Sequence, residues 1–342
     1  MSKKSSGGLK HALAVVGNRL KDSMDRAIYA RLEDSDKYSR AELEKMTPND
    51  LYGILEEKAV DSRSDLTTVR DSVKVQIAFL IDFTAALYRT KDIPDDRKKA
   101  NSIAREHEEK FLANAKKLGM RVQYSSEVSP EQLAAKPNLI LATHQGGGWE
   151  NYLFQGFTGL DASAVVKSEL MDLPGVGPSL KSRGMIPVHR KNLKDPVLQL
   201  AEVERIALDT AERLAAGGNV VVFFEGTRSE NGQIAATIGR RQWSRDFMNA
   251  LERIWADKFA DRYDFQKQLL VFHTMVAMPD TPEKEFFLCR FRLGETIAAK
   301  LVSADKLSIP AEGENFDNEE NLFGKARSVL KGLLIEDILR KR

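Results

Sequence analysis

Gly217-Gly218-Asn219-Val220-Val221-Val222-Phe223-Phe224-Glu225-Gly226-Thr227-Arg228-Ser229 is the stretch that decides the fold class. Its apolar run is too short for a helix and shows no polar alternation, which suits a strand covered on both faces. Such a strand belongs to an α/β sheet with helices on either side. The run breaks at Glu225-Gly226-Thr227-Arg228, which offers a tight glycine turn, free backbone amides, a hydroxyl and a guanidinium. Together these match a phosphate. Glu225 can instead brace Arg228 or the loop amides without touching a ligand. A plain surface turn carrying an arginine explains the stretch less economically.

Outward from this run, the second half of the chain repeats the pattern. Short apolar runs at Leu139–Ala142, Ala164–Val166, Met185–Val188, Leu269–Phe272 and Phe286–Cys289 read as further strands. Helical segments fall at about Asp195 to Ala216 and Trp243 to Phe259, and Asn321 to Lys341 reads as a last amphipathic helix. Before Pro130 the character differs. Glycines and prolines are sparse from Gly8 to about Lys117, and apolar residues recur at three and four. Leu9, Leu13, Val16, Leu20, Met24, Ala27 and Ile28 form one stripe, with Lys4, Lys10, Arg19, Lys21, Arg26 and Arg31 around it. This is an ordinary solvated helix or an interfacial one attracted to anionic lipid. Ser39-Arg40-Ala41-Glu42 has the form of a capping box. Ile77, Leu80, Ile81, Phe83 and Leu87 read as a buried helix, and Asn101 to Leu118 as a charged amphipathic one.

The expected architecture is therefore α/β, with a mixed, mostly parallel sheet flanked by helices and preceded by an α-helical domain. The divisions fall at 1–128 for the helical domain, which docks on a membrane or completes an acyl pocket. Residues 129–312 form the α/β domain, and 313–342 a helical tail.

Composition narrows the function classes. The 342 residues carry a formal net charge of +2, so no global field draws the chain to nucleic acid. One cysteine, Cys289, allows neither an internal disulfide nor a cysteine-rich zinc site, which fits a reducing, cytoplasmic setting. The N-terminal apolar run is interrupted at Asn18 and Arg19 and lacks a cleavage pattern. Val73 to Leu87 carries Lys74, Gln76 and Asp82 and is shorter than the roughly 20 residues of a spanning helix. No Gly-x-x-x-x-Gly-Lys-Ser/Thr and no Gly-x-Ser-x-Gly occurs, which disfavours a nucleotide phosphate loop and a serine hydrolase.

The polar clusters sit just after predicted strands, where ligands collect in open α/β sheets. The first is Thr143-His144-Gln145-Gly146-Gly147-Gly148-Trp149-Glu150. It is either an imidazole base held by a carboxylate or a hydrogen-bonded histidine in a strand-to-helix turn. The second runs from Val166-Lys167-Ser168-Glu169-Leu170 through Pro174-Gly175-Val176-Gly177 to Ile186-Pro187-Val188-His189-Arg190. Lys167 and Arg190 are two isolated surface cations or a convergent pair for an anion. His144, His189 and His273 each follow a predicted strand, but without a ligand-spaced pair no metal is expected.

In order and spacing these clusters resemble the blocks of the PlsC-type glycerolipid acyltransferase family, which includes glycerol-3-phosphate and lysophosphatidate acyltransferases. That family has a histidine, four intervening residues and then an acid. A Lys-x-Glu-Leu to Ile-x-x-Arg block follows, then Phe-Pro-Glu-Gly-Thr-Arg-Ser, against Phe223 to Ser229 here. The resemblance covers about Leu139 to Met278. Trp149 stands where the acidic partner belongs, with Glu150 one residue later, and a bulge in the glycine triplet would restore the geometry. Phe224 replaces a proline, and Val271-Phe272-His273-Thr274 departs from the fourth block.

The resemblance implies acyl transfer from acyl-CoA or acyl-carrier protein to a hydroxyl of glycerol 3-phosphate or lysophosphatidate, with no bound cofactor and no metal. Another lysophospholipid or amino-lipid acceptor, or a non-catalytic lipid-binding homologue, is the alternative. By position it implies His144 as general base, Glu150 as its orienter, and Lys167, Arg190, Glu225, Gly226, Thr227 and Arg228 as acceptor-binding groups. Amides of Gly146, Gly147 and Gly148 would meet the oxyanion. Peripheral contact with an anionic membrane through the basic N-terminal helix completes the expected partners, with nucleic acid excluded.

Overall fold

The computed structural model describes residues 38–62, 77–78, 81–93, 96–144, 150–189, 195–226, 234, 238–274, 296–309 and 318–340. Its centre is a seven-stranded sheet in the order β1-β7-β6-β2-β5-β3-β4. The strands are β1 (Arg121–Ser126), β2 (Asn138–Ala142), β3 (Ala162–Lys167), β4 (Ile186–Val188), β5 (Asn219–Phe223), β6 (Gln266–Thr274) and β7 (Thr296–Ser303). β2 to β6 are mutually parallel, β7 runs antiparallel to β6, and β1 pairs parallel with β7. The helices, in chain order, are α1 (Arg40–Leu43), α2 (Pro48–Ser62), α3 (Arg97–Lys117), α4 (Pro130–Ala135) and α5 (Glu150–Thr158). They continue with α6 (Val176–Ser182), α7 (Pro196–Ala215), α8 (Ile238–Lys258) and α9 (Leu322–Arg340).

The period of two along the strands divides the core into two layers. Leu139, Leu141, Val220, Val222, Leu269, Val271 and Val302 face one side, where α2, α7, α8 and α9 supply Leu51, Leu55, Ile206, Phe247, Leu251, Phe323 and Leu330. Ile140, Ala142, Val221, Phe223, Leu270, Phe272 and Ala299 face the other, against Phe111 of α3 and Leu153 and Phe154 of α5. Every strand in the middle is thus apolar on both faces, which is why its sequence shows no alternation.

Two strands were not expected from the sequence. β1 lies inside the stretch read as helical, and β7 follows the last predicted run. β1 is a half-exposed edge strand with the polar sequence RVQYSS, and β7 carries small residues and Lys300 within TIAAKLVS. Neither needs a large apolar run, because one lies at the rim and the other packs through Ile297, Ala299 and Leu301. The predicted run Phe286–Cys289 and the basic stripe from Leu9 to Ile28 lie outside the described residues.

The capping box at Ser39 forms as expected. Glu42 Oε2 accepts from the Ser39 N–H at 2.7 Å, and Ser39 Oγ accepts from the Glu42 N–H at 3.4 Å. The helix expected to bury Ile77, Leu80, Ile81, Phe83 and Leu87 does so in part: Phe83 and Leu87 are half-buried, Phe83 against the core, and Leu80 lies outside the described residues. Asp82, Ala86 and Thr90 are its buried stripe, whereas Ile77 is 50% and Ile81 61% exposed. Polar anchors set that orientation: Asp82 lies 3.4 Å from Lys110 Nζ and 3.7 Å from His107 Nδ1. Thr90 and Ser179 hydroxyls meet at 2.5 Å. No described helix is long and apolar enough to cross a membrane.

α3 and α5 pack closely at Gly156. A Cβ on Gly156 would lie 2.9 Å from Glu108 Cβ and 3.0 Å from Leu112 Cδ1. The close approach lets the fully buried Glu108 carboxylate accept from the Gly156 N–H at 2.9 Å and pair with Arg183 at 3.3 Å. Burial pushes the Glu108 carboxyl up to about 8, against the opposing pull of Arg183 and the hydrogen bonds from Gly156 and Gln155. An acid so raised keeps its proton in the folded chain and loses it in the unfolded one between about 4.5 and about 8. Its contribution is therefore full at acidic pH and lost as pH rises through about 8.

Two outcomes are expected in denaturant titrations. Gly156→Ala lowers stability by about 1–3 kcal/mol through overpacking. Glu108→Gln flattens the decline in stability between pH 5 and 9 that the native chain shows, and an equal decline in both proteins would refute the raised carboxyl.

Candidate active site

Four parallel strands present their carboxyl ends side by side in the order β2, β5, β3, β4, and each is closed or soon followed by a polar residue. His144 follows β2, Glu225 follows β5, Lys167 closes β3, and His189 follows β4. The register sets Ala142 opposite Phe223 and Lys167 opposite Val188, which brings these ends to one rim.

At the centre of the rim, β2 and β5 are tied by a side chain. Glu225 is fully buried, and its Oε1 accepts from the backbone N–H of His144 at 3.2 Å. A carboxylate shut off from water requires such donors, and the bond fixes where the chain leaves β2. The His144 ring, part exposed, lies 4.6 Å from the Phe223 ring, centroid to centroid, at 45°. The residue just before it is also pinned: Thr143 donates its N–H to Leu270 at 3.1 Å and accepts from the Phe272 N–H at 3.3 Å.

The turn after β5 has its own supports. Gly226 donates its N–H to Phe223 O at 2.9 Å and has φ +66°, which favours glycine. Ser244 of α8 donates its hydroxyl to Phe224 O, and the indole of Trp243 lies beneath Gly226. Trp243 in turn stacks on Phe247, 5.5 Å between centroids and nearly coplanar. Trp243 and Ser244 were not singled out in the sequence. Their signal there is faint, since a tryptophan at the start of an amphipathic helix reads as core.

On the outer part of the rim, His189 donates its N–H to Glu202 Oε1 at 2.7 Å, and its Nδ1 lies 3.1 Å from the same oxygen. Burial would raise the Glu202 carboxyl, but hydrogen bonds and charge from Arg205, with the bonds from His189, hold it down to about 2. Arg205 also caps the open edge of β4 by donating to Pro187 O.

The expected site residues are therefore placed as follows. His144, Glu225, Gly226 and Lys167 share the rim. Glu150 is the first residue of α5, the helix that the first cluster leads into, but its side chain lies outside those described. Gly146, Gly147, Gly148, Arg190, Thr227 and Arg228 also lie outside the described residues. The three histidines do not gather: His189 pairs with Glu202, and the fully buried His273 lies 3.5 Å from Asp337. Among the described residues no group of three or more His, Cys, Asp or Glu could hold a metal ion.

Residues 121–266 match the family described as Acyltransferase. The structure also resembles the crystal structure of PlsC, the 1-acyl-sn-glycerophosphate (LPA) acyltransferase of Thermotoga maritima. There 18% of residues are identical, 81% of this chain and 99% of that one are covered, and the TM-score is 0.46. No curated protein matches the chain.

Gly226→Ala tests the turn apart from its surroundings. The nearest atom to an added Cβ is 3.9 Å away, so the cost is conformational alone. The expected loss is about 1–2 kcal/mol in denaturant melts, with Gly226→Asn costing less.

Proposed function

We propose that this domain moves a fatty acyl group from a thioester, acyl-CoA or acyl-carrier protein, to a hydroxyl of a phosphate-bearing acceptor, glycerol 3-phosphate or lysophosphatidate. The observation that carries this reading is the hydrogen bond from the His144 amide to Glu225. It joins the one rim histidine of the first cluster to the loop whose sequence suits a phosphate.

The chemistry follows from what the residues can do. An alcohol is a poor nucleophile near neutral pH, so a base must take its proton as it attacks the thioester carbonyl. His144, with part of its ring open at the rim, has the chemistry of that base. The Phe223 ring limits how the imidazole can turn. Glu150, at the start of α5, would orient the imidazole and stabilise it once protonated. Thr227 and Arg228, which follow the braced turn directly, would hold the acceptor's phosphate with Arg190 and Lys167. That fixes the hydroxyl against the base, a gain from proximity and not from acid-base strength. Amides of Gly146, Gly147 and Gly148 would stabilise the oxyanion as the tetrahedral intermediate forms, and the thiol then leaves.

Glu225 in this account does not touch substrate. Its carboxylate holds the base's backbone and the phosphate loop in one frame. The basic N-terminal helix would bring the protein to the surface of an anionic membrane, on the cytoplasmic side, where such acceptors lie.

Thiol release from acyl-CoA and from acyl-carrier protein, measured with a panel of acceptors, is the test. The native protein is expected to release thiol with a phosphate-bearing acceptor, and His144→Ala to lower the rate by about 10²–10⁴. Release only with an acceptor lacking phosphate would move the acceptor to an amino-lipid. Equal, low release in both proteins would leave a lipid-binding homologue without catalysis.

A further inference from the structure

Away from the rim, the last turn of α7 holds an arginine with unmet donors. Nε and Nη1 of Arg213 are shut off from solvent and have no hydrogen-bond partner among the described residues. Guanidinium donors in that state cost free energy unless an acceptor meets them. Burial, and the positive charge of the neighbouring Arg97, both hold the Arg213 pKa below its usual value, while Asp209 and Glu212 pull the other way.

What brings the two cations together is Gly184. It has φ +69°, and a Cβ there would lie 2.1 Å from Arg97 Cδ and 2.7 Å from Arg213 Nη1. Both side chains therefore lie over a residue that has none. They line a cavity of about 130 Å³ whose other walls are Asp209 and Glu212. Asp209 already accepts from Arg205 at 2.8 Å, which offsets its charge. The N-terminus of α3, where Arg97 is the first residue, adds its own positive end.

Arg213 also closes a second hollow, a groove of about 410 Å³ along the outer edge of β4. Ser168 and His189 line it beside the rim, Pro187 and Lys181 follow, and Asp172 is the one carboxylate on its wall. It thus joins the carboxyl rim to the arginine pair at the other end of β4. The span is set by the sheet. β4 stands three strands from β2, about 14 Å, and its own length adds about 10 Å.

We propose that Arg213 and Arg97 form an anion site for the 3′-phosphate at the nucleotide end of coenzyme A, with the pantetheine arm following the β4 groove toward His144. The inference rests on the acyl-transfer reading and names its donor as acyl-CoA. A phosphate in the cavity faces the Arg97 and Arg213 side chains that line it, and it supplies acceptor oxygens to Nε and Nη1 of Arg213 once that side chain lifts off Gly184 into the cavity. The extended arm suits a hollow that runs from the arginines to the rim.

The test is calorimetric binding of three probes to the full chain without turnover: coenzyme A, its 3′-dephospho form and inorganic phosphate. Native protein is expected to bind coenzyme A at least about tenfold more tightly than the dephospho form. Arg213→Met is expected to erase that difference. Arg213→Lys should keep part of it, and Arg97→Gln, at an exposed position, should reduce it without a folding risk. Ligand-free Arg213→Met is expected to melt no lower than native protein, because the unmet donors are gone.

Equal binding of the two coenzyme forms by native protein, or an unchanged difference in Arg213→Met, would overturn the proposal. Inorganic phosphate that binds the native chain but is not displaced by coenzyme A would do the same, by making this a site for free anions. Because no transfer is measured, the result stands apart from the His144 assay. Selective coenzyme binding with no transfer would count against the catalytic reading alone.

Discussion

Burying a carboxylate in the middle of a sheet is costly, and this protein does so at Glu225, directly after β5. Its Oε1 accepts from the His144 amide. The consequence is mechanical as much as electrostatic. β2 and β5 are neighbours through four register pairs, yet beyond Ala142 and Phe223 the ladder ends and both chains turn away. Glu225 carries the connection one step past the ladder, so the histidine and the phosphate-type loop leave the sheet from linked positions. Ser244, Trp243 and Thr143 hold the same region from α8 and β6. A change in how Glu225 is held would thus alter both halves of the site together.

The helical layer over the other face is held by buried polar groups as well as by the apolar packing of Phe111, Leu153 and Phe154. Asp82 meets Lys110 and His107, Thr90 meets Ser179, and Glu108 joins α3 to α5 and to Arg183. These contacts are directional, so they fix helix rotation where a greasy stripe alone would permit several. They also leave Ile77, Ile81 and Tyr88 on the outside. α5, which Glu150 opens, is seated through the Gly156 contact with Glu108. The layer thereby determines where the segment from His144 to Glu150 must end.

The sheet's core strands were legible in the sequence because each is covered on both faces, so Val220 to Phe223 and Leu139 to Ala142 read as unbroken apolar runs. The capping box at Ser39 was legible because its bonds are local. β1 and β7 were not, since an edge strand and a strand of small residues need no such run. The orientation of the helix at residues 81–90 was read only in part: Phe83 packs on the core, but distant polar partners bury Asp82 and Thr90 and leave Ile81 outside. His189 was read only as a histidine that follows a predicted strand, and its partner Glu202, thirteen positions along, lies within the helix α7, where no local pattern marks it.

By itself the sequence determined the α/β class, the order of the polar clusters along the chain, and the kind of chemistry that a histidine and a Glu-Gly-Thr-Arg turn can support. Those are local properties, set by side-chain type and short spacing. Only the tertiary structure decided that Glu225 is a brace to the His144 amide, that His144, His189 and His273 stay apart, and that Arg97 and Arg213 meet over Gly184. Each of these depends on parallel strands brought together through crossover helices, or on helix ends far apart in the chain. Contacts of that separation are chosen by the packing of the whole core, which no short stretch of residues encodes.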